Sequence, residues 1–249
     1  MGVLGGPSVP TMSDEPTAAP VTYSLEDGVA VLRLDDGKVN VVSHRVIDLL
    51  HRFLDNAEGQ ATAVAIIGRP GKLSAGFDLA EMTAGIERTR ALVGAGGKLL
   101  MRVFGHPQPV VVAVTGHALA AGALLTLACD TRIGADGPAK IGLNETAIGM
   151  GLPRYATELA RARLSPAHLT RGAIQAELYD PAGAIEAGYL DQVVPAEECE
   201  AVAITEARRL GAFRTGAYSH TKLALRGALI ERVLAGIDAD MTSISAPSA

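Results

Sequence analysis

A run of twenty residues, Val110 to Cys129, carries no formally charged side chain and is long enough to cross the core of a bilayer. The run opens with β-branched residues, breaks at Thr115-Gly116-His117 and is rich in helix-forming residues only from Ala118 to Ala128. A strand, a turn and a buried helix explain that order better than one membrane-spanning helix. We therefore predict a strand over 110–114 and a helix over 118–128 inside a globular protein, and no membrane partner.

The rest of the chain alternates between strand-like and helix-like patterns. Val21 to Glu26 and Val29 to Leu34 are rich in β-forming residues, and Asp27-Gly28 between them predicts a hairpin. Ser43 has the character of a helix N-cap, because apolar residues recur every three or four positions after it. Further predicted elements are a buried strand over 64–67, a helix over 88–104 and a short strand over 192–194. This alternation predicts an α/β fold up to about residue 145 and mainly helical structure from Tyr155.

Composition excludes several classes of protein. The 249 residues are 48% hydrophobic, enough for one or two globular domains and too apolar for a disordered chain. The net charge is −5 with no long basic run, so nucleic acid is not an expected partner. Cys129 and Cys199 form no ligand pair, and the six histidines show no metal-binding spacing. We expect no metal and a reducing compartment.

Both ends of the chain predict loose structure. Residues 1–20 hold four prolines and no Lys or Arg, unlike a signal or transit peptide, so we interpret them as a disordered extension. Met12 is an alternative start. Thr242 to Ala249 also has the composition of a loose tail. The lack of a targeting segment predicts a cytoplasmic protein.

Two glycine-rich turns share one design, in which an apolar strand is followed by small residues and the start of a helix. In the first, Ile66-Ile67-Gly68 precedes Ser74 to Leu79; in the second, Val110 to Val114 precedes Gly116 to Gly122. At such turns the first helical N–H groups point outward, with the positive end of the helix dipole behind them. Two facing turns would form an oxyanion hole for an enolate. The alternative is close helix–strand packing at ordinary loops.

A single carboxylate is the other candidate for chemistry. Glu145 lies between apolar residues in the segment Ile141 to Gly149. Desolvation there would raise its pKa toward that of a useful general base. The alternatives are a solvated side chain and a helix-start residue. Gly94-Ala95-Gly96-Gly97, by contrast, does not complete a dinucleotide-binding motif, because Leu99 stands at its last position.

Four motifs in order give the sequence a family resemblance. Residues 74–79, 116–130, 142–146 and 188–195 resemble the successive signatures of the crotonase (enoyl-CoA hydratase/isomerase) superfamily, over roughly residues 20 to 235. The resemblance implies an α/β spiral core of ββα turns over 21–195 that holds the acyl-CoA site, and a helical C-terminal trimerisation region over 196–249. It also implies acyl-CoA substrates, no cofactor beyond their CoA moiety, and a homotrimer or a hexamer.

The resemblance also assigns roles to residues. It places the oxyanion donors on the backbone N–H groups of Phe77 and Ala121 and the catalytic carboxylate on Glu145. Asp78 is expected to cap a helix. Lys222 matches a position that meets a CoA phosphate, with a solvated surface lysine as the alternative. His117 is expected beside the donor turn, where a packed or backbone-bonded histidine is the favoured state and tuning of the pocket is the alternative. The complete set expected to line the substrate path is Lys38, Val39, Ser74, Ala75, Gly76, His117, Gly122, Leu124 and Lys222.

One departure from the family pattern bears on the reaction. Hydratases of this family use two glutamates, and the first falls on Leu124, which has no titratable group. A single carboxylate suffices for a 1,3-proton shift, and the pattern resembles the Δ3-Δ2-enoyl-CoA isomerase branch. We therefore predict an isomerase that converts 3-enoyl-CoA to 2-enoyl-CoA in fatty acid oxidation. The alternatives are an enoyl-CoA hydratase and a non-catalytic acyl-CoA binding protein.

Overall fold

Strands and helices alternate along the computed structural model, which describes residues 19–244. The strands are β1 (Val21–Glu26), β2 (Val29–Leu34), β3 (Val41–Val42), β4 (Ala63–Ile67), β5 (Gly71–Ser74), β6 (Gly76–Phe77), β7 (Val110–Val114), β8 (Gly116–Leu119), β9 (Thr131–Ala135), β10 (Ile141–Gly142) and β11 (Gln192–Val194). The helices are α1 (His44–Gln60), α2 (Leu79–Met82), α3 (Ile86–Phe104), α4 (Ala121–Ala128), α5 (Arg154–Arg163), α6 (Pro166–Ala173), α7 (Pro181–Ala187), α8 (Cys199–Gly211) and α9 (Thr215–Thr242). This order confirms the α/β fold class.

The main sheet has six strands in the order β1-β2-β4-β7-β9-β11. The β1–β2 hairpin is antiparallel, and every later pair is parallel. Because side chains alternate across a strand, Val64 and Ile66 join the core on one face while Ala63, Ala65 and Ile67 pack on the other face in the cluster that includes α8. Both faces are therefore covered, as a mostly parallel sheet requires.

A second sheet carries the polypeptide away from the first. After β4, β7 and β9 the chain enters β5, β8 and β10, which pair in the order β10-β8-β5. Ser74 lies opposite Ala118, Ala118 opposite Ile141, and Leu119 opposite Gly142. The helices α2, α4 and α5 then follow these strands. Repeated ββα turns thus place three distant segments side by side.

Most predicted elements are confirmed, but three of them begin at a different residue. The strand expected over 64–67 begins at Ala63, and the helix expected over 88–104 begins at Ile86. The hairpin, the strands over 110–114 and 192–194, and the Ser43 cap have the predicted bounds; the Ser43 hydroxyl accepts from the Val46 N–H at 3.3 Å. The helix expected over 118–128 begins only at Ala121, because residues 116–119 pair on both sides as a strand. Over residues 19–244, no helix is both long and apolar enough to span a bilayer.

Loose structure was predicted at both ends of the chain, and the structure describes only part of each end. The predicted N-terminal extension lies outside the described residues, except for residues 19 and 20. The predicted loose tail is wrong at its start, because Thr242 still belongs to α9. The Ser243 and Ile244 N–H groups donate to Asp240 and Met241 carbonyls at 3.1 and 3.3 Å, so the last turn is hydrogen-bonded. The remainder of the tail, from residue 245, lies outside the described residues.

Candidate active site

A cavity of about 240 Å³ opens beside the three paired segments. Its wall is mainly apolar, and Asn144, Glu145 and Tyr155 contribute the side-chain polar groups. The complete lining is Ala75, Phe77, Leu79, Met82, Val93, Ala120, Leu124, Asn144, Glu145, Ile148, Met150, Gly151, Pro153, Tyr155 and Ile244. An apolar cavity with a few convergent polar groups is the usual form of a small-molecule site.

The first expected oxyanion donor, the Phe77 N–H, lies on β6. The N–H group of its neighbour Asp78 donates to the Val42 carbonyl of β3 at 3.1 Å. Because neighbouring N–H groups along a strand point in opposite directions, the Phe77 N–H points away from β3. Phe77 itself lines the cavity. Its N–H is thus available on the cavity side.

The second expected donor, the Ala121 N–H, belongs to the first residue of α4. The first four N–H groups of a helix have no acceptor within the helix and carry its positive dipole end. Gly76 brings the two turns together: its φ is +105°, and a Cβ there would lie 3.0 Å from the Ala120 Cβ and 3.6 Å from the Ala121 N. Glycine is therefore needed for the close approach of the two donor turns.

The residue that precedes α4, Ala120, has a strained backbone conformation. Ala120 has φ +49° and ψ −120°, a conformation that residues other than glycine rarely adopt. Two hydrogen bonds hold it there: its N–H donates to the Gly142 carbonyl at 3.1 Å, and its carbonyl accepts from the Leu124 N–H at 2.9 Å. Strained residues of this kind cluster at functional sites. An alanine gives no sequence signal for this turn, so the strain was not predicted.

Glu145 is the carboxylate of the cavity wall. The residue is only 8% exposed, and no group within residues 19–244 hydrogen-bonds to its Oε2. Burial raises the pKa of Glu145 to about 7. A tight turn fixes its backbone, because its carbonyl accepts from the Ile148 and Met150 N–H groups at 3.0 and 2.9 Å. The carboxylate is therefore desolvated, and its Oε2 has no partner in the described part of the chain, which suits proton transfer near neutral pH.

Leu124 contributes an apolar side chain to the cavity wall. It is 1% exposed and lies in the first turn of α4, one turn after Ala120. Among the lining residues that the structure describes, Glu145 is the sole carboxylate. The cavity therefore offers one carboxylate for proton transfer, and the Tyr155 hydroxyl is the other titratable group of its described wall.

Several expected substrate-path residues support the turns instead of lining the cavity. Ala75 does line it. The Ser74 hydroxyl accepts from the Gly76 N–H at 3.2 Å, and a Cβ at Gly122 would lie 2.5 Å from the Ser74 carbonyl oxygen, so Ser74 and Gly122 hold the two turns against each other. Asp78 caps α2 by accepting from the Ala80 N–H at 2.8 Å, as predicted.

Lys38 and Val39, which are expected on the substrate path, and Ala121, the expected second donor, are not among the residues that line the cavity. Lys38 and Val39 are exposed just before β3, and the Lys38 carbonyl accepts from Arg69 at 2.7 Å. The Ala121 side chain faces a separate small apolar void of about 10 Å³. Only its backbone N–H is thus placed to serve the cavity.

The structure places neither His117 nor Lys222 in the lining of the cavity, and His117 has the backbone-bonded state that was favoured for it. Side chains alternate along β8, and His117 lies on a different surface pocket, where its Nδ1 accepts from the Lys140 N–H at 3.0 Å. The Lys222 ammonium is buried and donates to the carbonyls of His106 and Gln108 at 2.7 and 2.9 Å and to Asp130 at 2.6 Å. All three of its hydrogens are used, so it is neither a free phosphate ligand nor a solvated lysine.

Sequence reasoning missed Tyr155 and Ile244, which belong to segments distant from the motifs. Tyr155 is 1% exposed, and its ring packs on Gly97, where a Cβ would lie 2.5 Å from the Tyr155 Cδ1. An aromatic residue early in an amphipathic helix has the pattern of an ordinary core residue, so no signal marked it. Within residues 19–244, no group of three or more His, Cys, Asp or Glu side chains is placed to hold a metal ion.

Known proteins share this sequence pattern and fold. A sequence model of the family described as enoyl-CoA hydratase/isomerase matches residues 24–248. The chain is 32% identical to the human mitochondrial enoyl-CoA delta isomerase 1 over 222 residues, which cover 86% of this chain and 72% of that protein. It is 34% identical to a probable enoyl-CoA hydratase of Bacillus subtilis over 147 residues, which cover 54% and 57%.

A solved structure extends the likeness to three dimensions. The fold matches an enoyl-CoA hydratase/isomerase family protein from Pseudomonas syringae with a TM-score of 0.88 and 43% identity, covering 91% of this chain and 98% of that one. The chain therefore belongs to the enoyl-CoA hydratase/isomerase family, the crotonase superfamily.

Proposed function

We propose that this protein is an enoyl-CoA isomerase that moves a double bond from C3 to C2 of a 3-enoyl-CoA thioester, a step of fatty acid oxidation. The observation that carries the proposal is the single carboxylate of the cavity: Glu145 is buried in the wall while the apolar Leu124 stands at the second position. A proton shift needs one group that accepts and returns a proton. Hydration needs a second group to activate water or protonate C2.

In the proposed reaction, the thioester oxygen accepts hydrogen bonds from the N–H groups of Phe77 and Ala121. The carboxylate of Glu145 removes a C2 proton, and the electron pair delocalises through the former C3–C4 double bond as a dienolate whose charge rests on the oxygen. The protonated Glu145 then returns the proton to C4. The product is the conjugated 2-enoyl-CoA, and the carboxylate is regenerated. A pKa of about 7 lets Glu145 act as base and acid in turn.

Hydration is the second candidate, because the Bacillus relative is named a probable hydratase. The apolar Leu124 side chain offers no acid for C2, so we expect any hydration to be slow. A non-catalytic acyl-CoA binding protein would use the cavity and donors without Glu145. Turnover of an enoyl-CoA excludes that alternative.

The test is the growth of conjugated-thioester absorbance when purified protein is added to trans-3-hexenoyl-CoA. Glu145→Gln should lower kcat by about 10²- to 10⁴-fold while the Kd for saturated hexanoyl-CoA, measured by calorimetry, stays within a few-fold. Glu186→Gln makes the same change at an exposed surface position and should leave both values unchanged. Near-wild-type turnover by Glu145→Gln would show that another group carries the proton.

Three further expectations accompany this proposal and remain predictions. The family resemblance implies assembly as a trimer or a dimer of trimers, which light scattering of the full chain measures. It also implies that the CoA moiety of the substrate is the only cofactor. The composition of the chain predicts a cytoplasmic location.

A further inference from the structure

Two glycines of α3, Gly94 and Gly97, pack closely against the end of α9. A Cβ at Gly94 would lie 3.2 Å from the Met241 Cγ, and a Cβ at Gly97 would lie 2.8 Å from the Ile237 Cδ1. These glycines share one face of α3, since they are three residues apart. Any larger side chain there would push α9 away. The glycine-rich segment, which completes no nucleotide motif, thus serves close packing of two helices.

Arg90, one turn earlier on the same face of α3, holds the residues that follow. Its Nη2 donates to the carbonyls of Thr242 and Ile244 at 3.0 and 3.5 Å, and its Nη1 pairs with Glu87 at 2.9 Å. Carbonyl groups at a helix C-terminus lack partners within the helix and carry its negative dipole end, so a guanidinium is a favourable partner for them. The contact fixes where the chain goes after α9.

That direction places Ile244 in the wall of the Glu145 cavity. Val93, one turn after Arg90 on α3, and Met82 at the end of α2 line the same cavity, and Ile244 is partly buried against the core. On the basis of the proposed function, in which this cavity holds an acyl chain, we propose that Ile244, positioned by Arg90, limits the length of the acyl chain that the enzyme accepts.

A substitution at position 244 changes the space that the cavity leaves for an acyl chain. Replacing Ile244 by Ala removes three carbons from the wall. The preferred chain should therefore lengthen by about three carbons, while a larger side chain at 244 should shorten it.

The experiment measures kcat/KM for trans-3-enoyl-CoA substrates of six, eight, ten and twelve carbons with the full chain. For Ile244→Ala, the ratio of the twelve-carbon to the six-carbon value should rise about tenfold or more, because a few methylenes in an apolar pocket discriminate by at least that factor. Ile244→Phe should lower the ratio. Arg90→Gln should raise it by a smaller factor, since Met241 still packs against Gly94.

Lys98→Gln is the matched control. Lys98 also joins α3 to α9, through Asp238 at 3.2 Å, but lies two turns from Arg90 and outside the cavity wall. It should leave the ratio unchanged, and thermal melts of all variants check that each is folded. If folded Ile244→Ala and Ile244→Phe both keep the wild-type ratio, the inference is overturned.

A binding measurement separates this inference from the proposed reaction. Calorimetry gives the Kd of saturated hexanoyl-CoA and dodecanoyl-CoA for the same variants. A shifted Kd ratio without turnover of any 3-enoyl-CoA would refute the isomerase reaction and support the role of Ile244. Turnover with unshifted ratios in both kcat/KM and Kd would refute the role of Ile244 alone.

Discussion

Glu145 and Asp130 both have buried carboxylates, and their surroundings are opposite. The Asp130 side chain is 6% exposed and accepts from Lys222 at 2.6 Å, Arg226 at 2.7 Å and the Val110 N–H at 2.9 Å. Glu145 is 8% exposed, and its Oε2 accepts from no group in the described part of the chain. One carboxylate is surrounded by cations and donors, whereas the other faces an apolar cavity.

The difference separates a carboxylate that holds the fold from one that is free to react. A buried ion is tolerated when opposite charges and donors replace water, as they do around Asp130. No cation is paired with the Glu145 carboxylate in the described part of the chain, so its burial destabilises the charged form and raises its pKa. A substitution at Asp130 should therefore lower stability, whereas a substitution at Glu145 should impair proton transfer and should raise stability at higher pH.

The largest effect on stability is expected from Asp130→Asn. The amide keeps the shape of the side chain but leaves the buried Lys222 and the half-buried Arg226 without their counter-charge. Removing one member of a buried charge cluster lowers the free energy of unfolding by about 3–5 kcal/mol, which urea denaturation measures. The folded fraction should retain wild-type turnover on 3-hexenoyl-CoA. A loss below about 1 kcal/mol would show that the cations find other compensation.

Glu145→Gln should stabilise the protein, and only at higher pH. The folded pKa of about 7 lies above the ordinary value of 4.5, so the native state retains a proton that the unfolded chain releases. Wild-type stability is therefore fully present below pH 4.5 and is lost as pH rises through 7, by about 3 kcal/mol in total. A glutamine at position 145 does not titrate, so it adds no such pH dependence to the stability of the variant. Denaturation of both proteins at pH 4 and pH 8 tests this, and an equal difference at the two pH values would contradict it.

The same pKa sets the pH dependence of activity. Only the deprotonated Glu145 removes a C2 proton, so kcat/KM should be half-maximal near pH 7. One pH unit below that midpoint the value should be about tenfold below the plateau, since one pKa unit corresponds to a factor of ten. The profile of kcat/KM from pH 5 to pH 9 measures it. A midpoint near the ordinary glutamate pKa would mean that the carboxylate is solvated in the free enzyme.

How much the sequence predicts depends on whether an element carries its own pattern. The strand over 110–114 is a run of β-branched and apolar residues, and Ser43 caps an amphipathic helix; both have the predicted bounds. Residues 116–119 have no strand pattern, and they form β8 only because β5 and β10 flank them. Their assignment depends on partners distant in sequence.

The residues of the candidate site differ in the same respect, because the sequence predicts the surroundings of some of them and not of others. The burial of Glu145 follows from its apolar neighbours in the chain, which the sequence displays. The burial of the Lys222 ammonium depends on its ion pair with Asp130, which lies 92 residues away in the sequence. The spacing of residues in the sequence does not predict that ion pair. Ile244 lines the cavity, and its carbonyl accepts a hydrogen bond from Arg90, which lies 154 residues away in the sequence. Local pattern therefore points to candidate reacting groups, whereas long-range packing determines what surrounds them.

The smallest effect is expected from Tyr155→Phe, which tests whether polar atoms of the cavity wall contribute to folding. The Tyr155 hydroxyl is buried and accepts or donates no hydrogen bond to any residue in the range 19–244, in contrast to Asp130. Removing a buried polar group that has no partner is close to neutral or stabilising. We expect the free energy of unfolding to stay level or to rise by up to about 1 kcal/mol in urea denaturation. A loss greater than about 1 kcal/mol would mean that the hydroxyl holds a partner in solution, such as an ordered water. The Tyr155 hydroxyl would then be hydrogen-bonded, as the Asp130 carboxylate is. Of the two cavity-wall groups compared with Asp130, only the Glu145 carboxylate would still have an oxygen without a partner in the described part of the chain.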